Sequence, residues 1–240
     1  MMKRNNFPFS AVLGLNHAKT AILIVLVNPR AGGLLISGPR GIGKSTLMRS
    51  TQELIERPWR DIPVSVTEDR LFGTIDTEKA IYSGQKKLYP GIINEADQGV
   101  LYLDDANLLR EDLLDFILNI AEVGAYQLER DGLSLRCDTS FTVIAAINPE
   151  SGMLSGACLD QFGLFVNVDN IHDENTRVEI LKRTISFAKG CASFCKLWKL
   201  ENEKIKKAIH SAMSLLPKVV VSSAMIQLAS VYACLLYTSD

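Results

Sequence analysis

Eight consecutive residues, Gly38-Pro39-Arg40-Gly41-Ile42-Gly43-Lys44-Ser45, carry the densest chemical signal in the chain. They fit G-x-x-x-x-G-K-[ST], the pattern of a phosphate-binding loop. Phosphate oxygens concentrate negative charge. Successive backbone N–H groups turned inward form a nest for them, and a helix N-terminus adds partial positive charge. Gly41 and Gly43 permit backbone conformations that a Cβ would block. In such a loop Lys44 reaches the β- and γ-phosphates of a nucleotide and the Ser45 hydroxyl ligates Mg2+. With Thr46 the expected binding stretch covers residues 38–46. A second stretch, Val100-Leu101-Tyr102-Leu103-Asp104-Asp105, is an apolar run ending in two carboxylates. The first, Asp104, suits holding Mg2+ through water. The second, Asp105, suits orienting and deprotonating an attacking water. A third apolar run, residues 141–147, ends in Asn148-Pro149. The Asn148 amide suits a γ-phosphate or the attacking water, and equally suits a turn that ends a strand before proline.

These groups need elements to hold them. Gly33-Leu34-Leu35-Ile36-Ser37 reads as a buried strand before the loop, and residues 46–55 as a helix after it. In doubly wound sheets ligands lie beyond the carboxyl ends of the strands, which places Asp104 beside Ser45 and Asn148 at the same edge. Residues 61–66, 141–147 and 164–168 read as further strands. Residues 108–123 show helical spacing of Leu109, Leu113, Phe116, Ile117 and Ile120. Asp131-Gly132 between two alternating runs is a strong hairpin signal. Residues 67–91 are polar and read as an insertion of loops and short elements. Residues 174–188, 203–216 and 222–237 read as helices. The expected fold class is α/β: a parallel five-stranded sheet flanked by helices over residues 1–188, with a β-hairpin insertion, and a small α-helical domain over residues 189–240.

Composition bounds the function. With 240 residues and 47% hydrophobic content the chain can bury a sizeable core. Lys and Arg total 26 against 27 Asp and Glu, which leaves no overall electrostatic footprint for nucleic acid. The apolar run from Ala21 to Val27 has seven residues, far short of the ~20 that span a bilayer. It ends in Asn28-Pro29-Arg30 without a small-residue cleavage site, so it reads as a buried helix and not a signal peptide. Five scattered cysteines do not make a disulfide framework, and together with the phosphate loop they point to the reducing cytoplasm. Cys191 and Cys195 read as ordinary helix residues, since no nearby histidine completes a metal site.

Together the residues carry a resemblance. The chain resembles the ATPase subunit I of magnesium chelatase, in the AAA+ superfamily. The matching stretches are Phe7-Pro8-Phe9 to Gly14, residues 38–46, Thr67-Glu68-Asp69-Arg70 with Gly73-Thr74 and 76–80, Pro90-Gly91 through Asn107-Leu108-Leu109, and 123–149 with Asp160 and Phe162-Gly163. The resemblance implies an ATPase core with a helical lid, here stopping short of the family's length. It implies ATP and Mg2+ as cofactors and assembly of identical subunits into a ring, usually a hexamer, with nucleotide between neighbours. It also implies partner subunits, of chelatase or integrin-like type, that insert Mg2+ into a tetrapyrrole. Lys44 and Ser45 carry over as phosphate and Mg2+ contacts, Asp104 as the Walker B aspartate and Asn148 as the sensor asparagine.

Three positions depart from the family. Asp105 stands where glutamate is usual. Gln161, in Asp160-Gln161-Phe162-Gly163, replaces an arginine finger. Val221-Ser222-Ser223-Ala224 lacks the arginine usual in the lid. An arginine finger contributes 10³–10⁵ in rate, about 4–7 kcal/mol, so ATP binding is expected to be intact while fast hydrolysis is in question. Arg177 or Arg183, on the following helix, is a candidate to substitute in part. Three readings stay open: a ring motor of chelatase type, a weakly hydrolysing nucleotide-binding assembly subunit, and a MoxR-like remodeller of a metalloenzyme.

Overall fold

The computed structural model describes residues 6–75, 88–130 and 133–237. Its centre is a five-stranded, all-parallel sheet. In chain order the strands are β1 (Leu34–Ser37), β2 (Trp59–Ile62), β5 (Val100–Leu103), β8 (Thr142–Ile147) and β9 (Leu164–Asn167), arranged β2-β5-β8-β1-β9. Two antiparallel pairs lie outside it: β3 (Gly73–Ile75) with β4 (Leu88–Pro90), and β6 (Ala125–Arg130) with β7 (Leu133–Asp138). The latter is the expected hairpin; its Asp131-Gly132 turn lies outside the described residues, as do residues 76–80 of the family match.

Strand alternation sends successive side chains to opposite faces, and here both faces are buried. Leu35, Leu101, Leu103, Val143, Ala145 and Ile147 pack on one side, where α3 (Glu68–Phe72), α4 (Ile92–Glu95), α5 (Glu111–Val123) and α6 (Gly156–Asp160) cover them. Leu34, Ile36, Val100, Tyr102, Ile144 and Ala146 pack on the other, against α1 (Asn16–Val27) and α2 (Lys44–Ser50). On α1 the buried residues Ala18, Ala21, Ile22, Val25 and Leu26 follow the i, i+3, i+4 spacing of one helix face.

Several boundaries move from the sequence reading, each for a local reason. The second strand is Trp59–Ile62 and not 61–66, because Pro63 has no N–H for a ladder and opens a turn in which Val66 N donates to its carbonyl at 3.0 Å. The helix after the loop begins at Lys44 and ends at Ser50, followed by a 3-10 turn, Thr51–Glu53. There the Ser50 and Thr51 hydroxyls donate to the Leu47 and Met48 carbonyls at 2.5 Å, bonds that compete with helix continuation. α5 starts at Glu111 after a separate turn, Ala106–Leu108, and stops at the left-handed Gly124, φ 78°.

From Glu174 onward the described chain is mainly helical, as expected: α7 (Glu174–Lys189), α8 (Cys191–Leu215) and α9 (Ser223–Tyr237). Gly190 separates the first two, and residues 191–202, read only as generally helical, prolong α8 into one 25-residue helix. It is bolted to the core. The Asn202 carbonyl oxygen accepts from the Ser10 hydroxyl at 2.7 Å and its amide donates to Glu53 at 3.3 Å. Phe7 packs between α7 and α8, with ring centroids 5.2 Å from Phe187 and 5.3 Å from Phe194. Among the described residues no single helix is long and apolar enough to cross a membrane.

Leu101 is wholly buried at the centre of the sheet, whereas Phe165 on edge strand β9 is 55% exposed. Leu101→Ala is expected to cost about 2–5 kcal/mol, read as a lower urea midpoint with unchanged slope. Phe165→Ala is expected to stay within about 0.5 kcal/mol of the parent.

Candidate functional site

Parallel register brings the chemical groups to one edge. Ser37 at the end of β1 pairs with Ile147 at the end of β8, and Leu103 at the end of β5 pairs with Ala145. The loop after β1, the acidic pair after β5 and Asn148 after β8 therefore emerge side by side. Gly41 and Gly43 hold φ of 80° and 96°, left-handed values that side chains rarely adopt. Nothing lies within 4 Å of where a Cβ would stand at either, so backbone geometry and not crowding requires glycine there. Gly38 is different: a Cβ would come within 2.5 Å of the Val168 carbonyl.

Lys44 opens α2 and is buried. Its ammonium donates to the Pro39 carbonyl at 2.8 Å and to the Gly38 carbonyl, folding back over the loop. Burial pulls its pKa below the ordinary lysine value, while the nearby Asp105 and Asp104 oppose the shift. The Ser45 hydroxyl donates to Asp104 Oδ1 at 3.0 Å. The same oxygen accepts from the Tyr102 hydroxyl at 2.9 Å. The Arg49 guanidinium stands 3.7 Å from Asp104 Oδ2 and 3.8 Å from Asp61. Burial, then the adjacent Asp104, push the Tyr102 phenol far up, so it remains a donor.

A cavity of about 370 Å³ is lined by Arg40, Gly41, Gly43, Lys44, Ser45, Thr46, Asp104 and Asp105. Its donor set fits a polyphosphate with a hard divalent cation: backbone N–H groups and an ammonium for the phosphates, a hydroxyl and carboxylate oxygens for the metal. Asp105 has φ 50° and ψ 50°, a left-handed backbone in a residue other than glycine. Such strain clusters at functional sites.

Asn148 is buried at the end of β8, but its side chain is engaged locally. Its Oδ1 accepts from Glu150 N at 3.3 Å and its amide donates to Ser151 at 3.2 Å. It does not line the phosphate-sized cavity. Gln161 lies elsewhere. It precedes β9, whose Leu164 pairs with Leu34 at the start of β1, so it occupies the sheet end away from Lys44. Of the two substitute cations, Arg183 is committed: it pairs with Glu179 at 2.9 Å, donates to the Ala11 carbonyl at 3.0 Å and stacks 4.6 Å over Trp198. Arg177 lines a cavity with Gly41 and Ile42.

Sequence reasoning gave no role to a second cavity, of about 350 Å³, that shares Gly41, Gly43 and Thr46 with the first. Its walls are Phe7, Val12, Leu13, Ile180 and Phe187, with Arg183 and Thr184 on α7. Lys19 and Arg183 fix its rim by donating to the Val12 and Ala11 carbonyls. The residues come from opposite ends of the chain, so no local pattern joins them; the only hint was the Phe7-Pro8-Phe9 stretch.

The backbone at Asp105 generates a test that separates conformation from chemistry. Asp and Asn are the non-glycine residues most at ease in left-handed geometry. Asp105→Asn should unfold in urea close to the parent, whereas Asp105→Ala should lose about 1 kcal/mol.

Comparison with known proteins accords with this geometry. Residues 33–161 match the family model described as AAA domain, dynein-related subfamily. A magnesium-chelatase subunit ChlI homolog of Methanocaldococcus jannaschii is 33% identical, the match covering 96% of this chain and 73% of that protein. The magnesium-chelatase 38 kDa subunit of Rhodobacter capsulatus is 35% identical, covering 89% and 70%. Among solved structures, a chain from the cryo-EM-based complex of subunits BchI and BchD of magnesium chelatase aligns with a TM-score of 0.66 and 35% identity, over 90% of this chain and 77% of that one. The chain belongs to the AAA+ ATPases of the magnesium-chelatase subunit I family.

Proposed function

We propose that the chain binds Mg-ATP across its two joined cavities and turns it over in a ring of identical subunits to drive a chelatase-type partner. The observation that carries this is the hydrogen bond between Ser45, on the phosphate loop, and Asp104, at the end of β5. Two segments distant in sequence meet with the hydroxyl and carboxylate that a phosphate-bound cation requires. In this reading residues 38–46 cradle the phosphates, with Lys44 leaving its loop carbonyls for the β- and γ-phosphates. Ser45 and Asp104 hold Mg2+, which when bound would neutralise phosphate charge. Asp105 orients and deprotonates the attacking water. Asn148 must release Ser151 before its amide reaches the γ-phosphate. The apolar second cavity takes the adenosine, with Phe7, Val12 and Ile180 against the base. Residues 1–188 serve as the nucleotide core and 189–240 as the lid. The BchI–BchD complex supports a ring with a chelatase partner, and an integrin-like partner domain belongs to the same proposal.

The test of binding is direct. A ligand that binds only the native state raises the melting temperature by mass action. Mg-ATP should stabilise the parent and leave Lys44→Ala unmoved; equal stabilisation of both overturns the reading.

Hydrolysis generates a separate test. Gln161 sits at the sheet end opposite its own phosphate loop, so in a head-to-tail ring it faces a neighbour's nucleotide. A glutamine donates hydrogen bonds but cannot neutralise the charge that builds on the γ-phosphoryl oxygens in the transition state. This favours slow turnover. Gln161→Arg should raise kcat by about tenfold or more and change nucleotide affinity far less, in steady-state assays on assembled rings. If the parent is already fast and the substitution does nothing, another cation fills the role, and Arg30, which lines the same cavity as Gln161, is the residue to replace next.

A further inference from the structure

Tyr102 lies in the middle of the buried sheet, wholly inaccessible to solvent. Alternation along β5 points it to the face covered by α1 and α2, away from Leu101 and Leu103. Its ring packs 5.9 Å from that of Trp59. A phenylalanine would fill the same space. The hydroxyl adds nothing to this packing and would incur a desolvation cost if left unbonded. It is bonded instead to Asp104 Oδ1 at 2.9 Å, the oxygen that also accepts from Ser45 at 3.0 Å.

We propose that Tyr102 is a positioning residue for the divalent-cation site, its hydroxyl fixing the rotation of the Asp104 carboxylate. The terminal torsion of an aspartate is broad and roughly two-fold, so one donor leaves it free to swing. Two donors on Oδ1 occupy both its lone pairs. The Ser45 proton is thereby drawn to Asp104, and the Ser45 lone pairs turn toward the cation. Oδ2, on a side chain 31% exposed and 3.7 Å from the Arg49 guanidinium, is left to hold water of the cation's shell. Asp104 thus acts through water because its inner oxygen is already engaged from both sides. The assignment rests on Ser45 and Asp104 being the cation-holding pair.

The experiment titrates Mg2+ against binding of a fluorescent ATP analogue, without turnover, for the full chain and for Tyr102→Phe and Asp104→Asn. For Tyr102→Phe the Mg2+ concentration giving half-maximal binding should rise about tenfold, the size expected when a hydrogen bond to a charged group is lost. Affinity in excess EDTA should stay within about twofold of the parent, and the nucleotide-free melting temperature should fall by only a few degrees, because the buried ring keeps its packing and only one hydrogen bond is lost. An unchanged Mg2+ requirement in Tyr102→Phe beside a raised one in Asp104→Asn overturns the role of Tyr102. So does an equal loss of affinity with and without metal, which marks a merely structural residue. If Asp104→Asn also leaves the requirement unchanged, the underlying reading of the cation pair fails, and this assignment with it.

Discussion

The registry of β1, β5 and β8 is the constraint on which the rest of the molecule depends. Because the three strands run parallel and in step, their carboxyl ends open on one edge. A phosphate loop, two carboxylates and an amide are delivered there from three distant parts of the chain. A parallel sheet must be covered on both faces, and the two apolar clusters do this. The price of that arrangement is a set of polar groups forced to the sheet's rim, and the hydrogen bonds among Ser45, Asp104 and Tyr102 use them. Slipping one strand by a single residue would send Tyr102 to the opposite face and break that set.

A second dependence runs through the chain's first described residues. Residues 7–13 form one wall of the apolar cavity while α7 forms the other. Phe7 wedges between α7 and α8, and Ser10 is tied to Asn202. The cavity's width is therefore set by contacts between segments separated by more than half the chain. Arg183 joins them, with its guanidinium on the Ala11 carbonyl and on the Trp198 face. A cation so engaged is a strut of the cavity wall, which narrows the search for a charge that offsets Gln161.

Much of this was legible beforehand. Strand, glycine loop and helix announced the phosphate site, and the buried run ending in Asp104 and Asp105 announced its partner, because both signals are local and their chemistry demands particular residue types. The second strand, Trp59–Ile62, is poorly legible because Trp59, Arg60 and Asp61 show weak alternation on an edge, and Pro63 is the one local signal of its end. The left-handed backbone at Asp105 was illegible, since nothing in composition distinguishes it from an ordinary turn. The apolar cavity was illegible for a different reason: Phe7 and Phe187 become neighbours only through tertiary packing. Tyr102 reads as one more apolar residue of a strand, because its hydroxyl meets Asp104 only once the strand end is folded against the phosphate loop.

The chain contains two tryptophans, and they sit at opposite ends of the proposed nucleotide site. The Trp59 indole lies beside Tyr102, one residue removed from the carboxylate end. The Trp198 indole lies under Arg183, one residue removed from the apolar end. Each touches a side chain of the site without lining either of the two joined cavities. The protein thus carries its own optical reporters, one beside each end of the proposed nucleotide site.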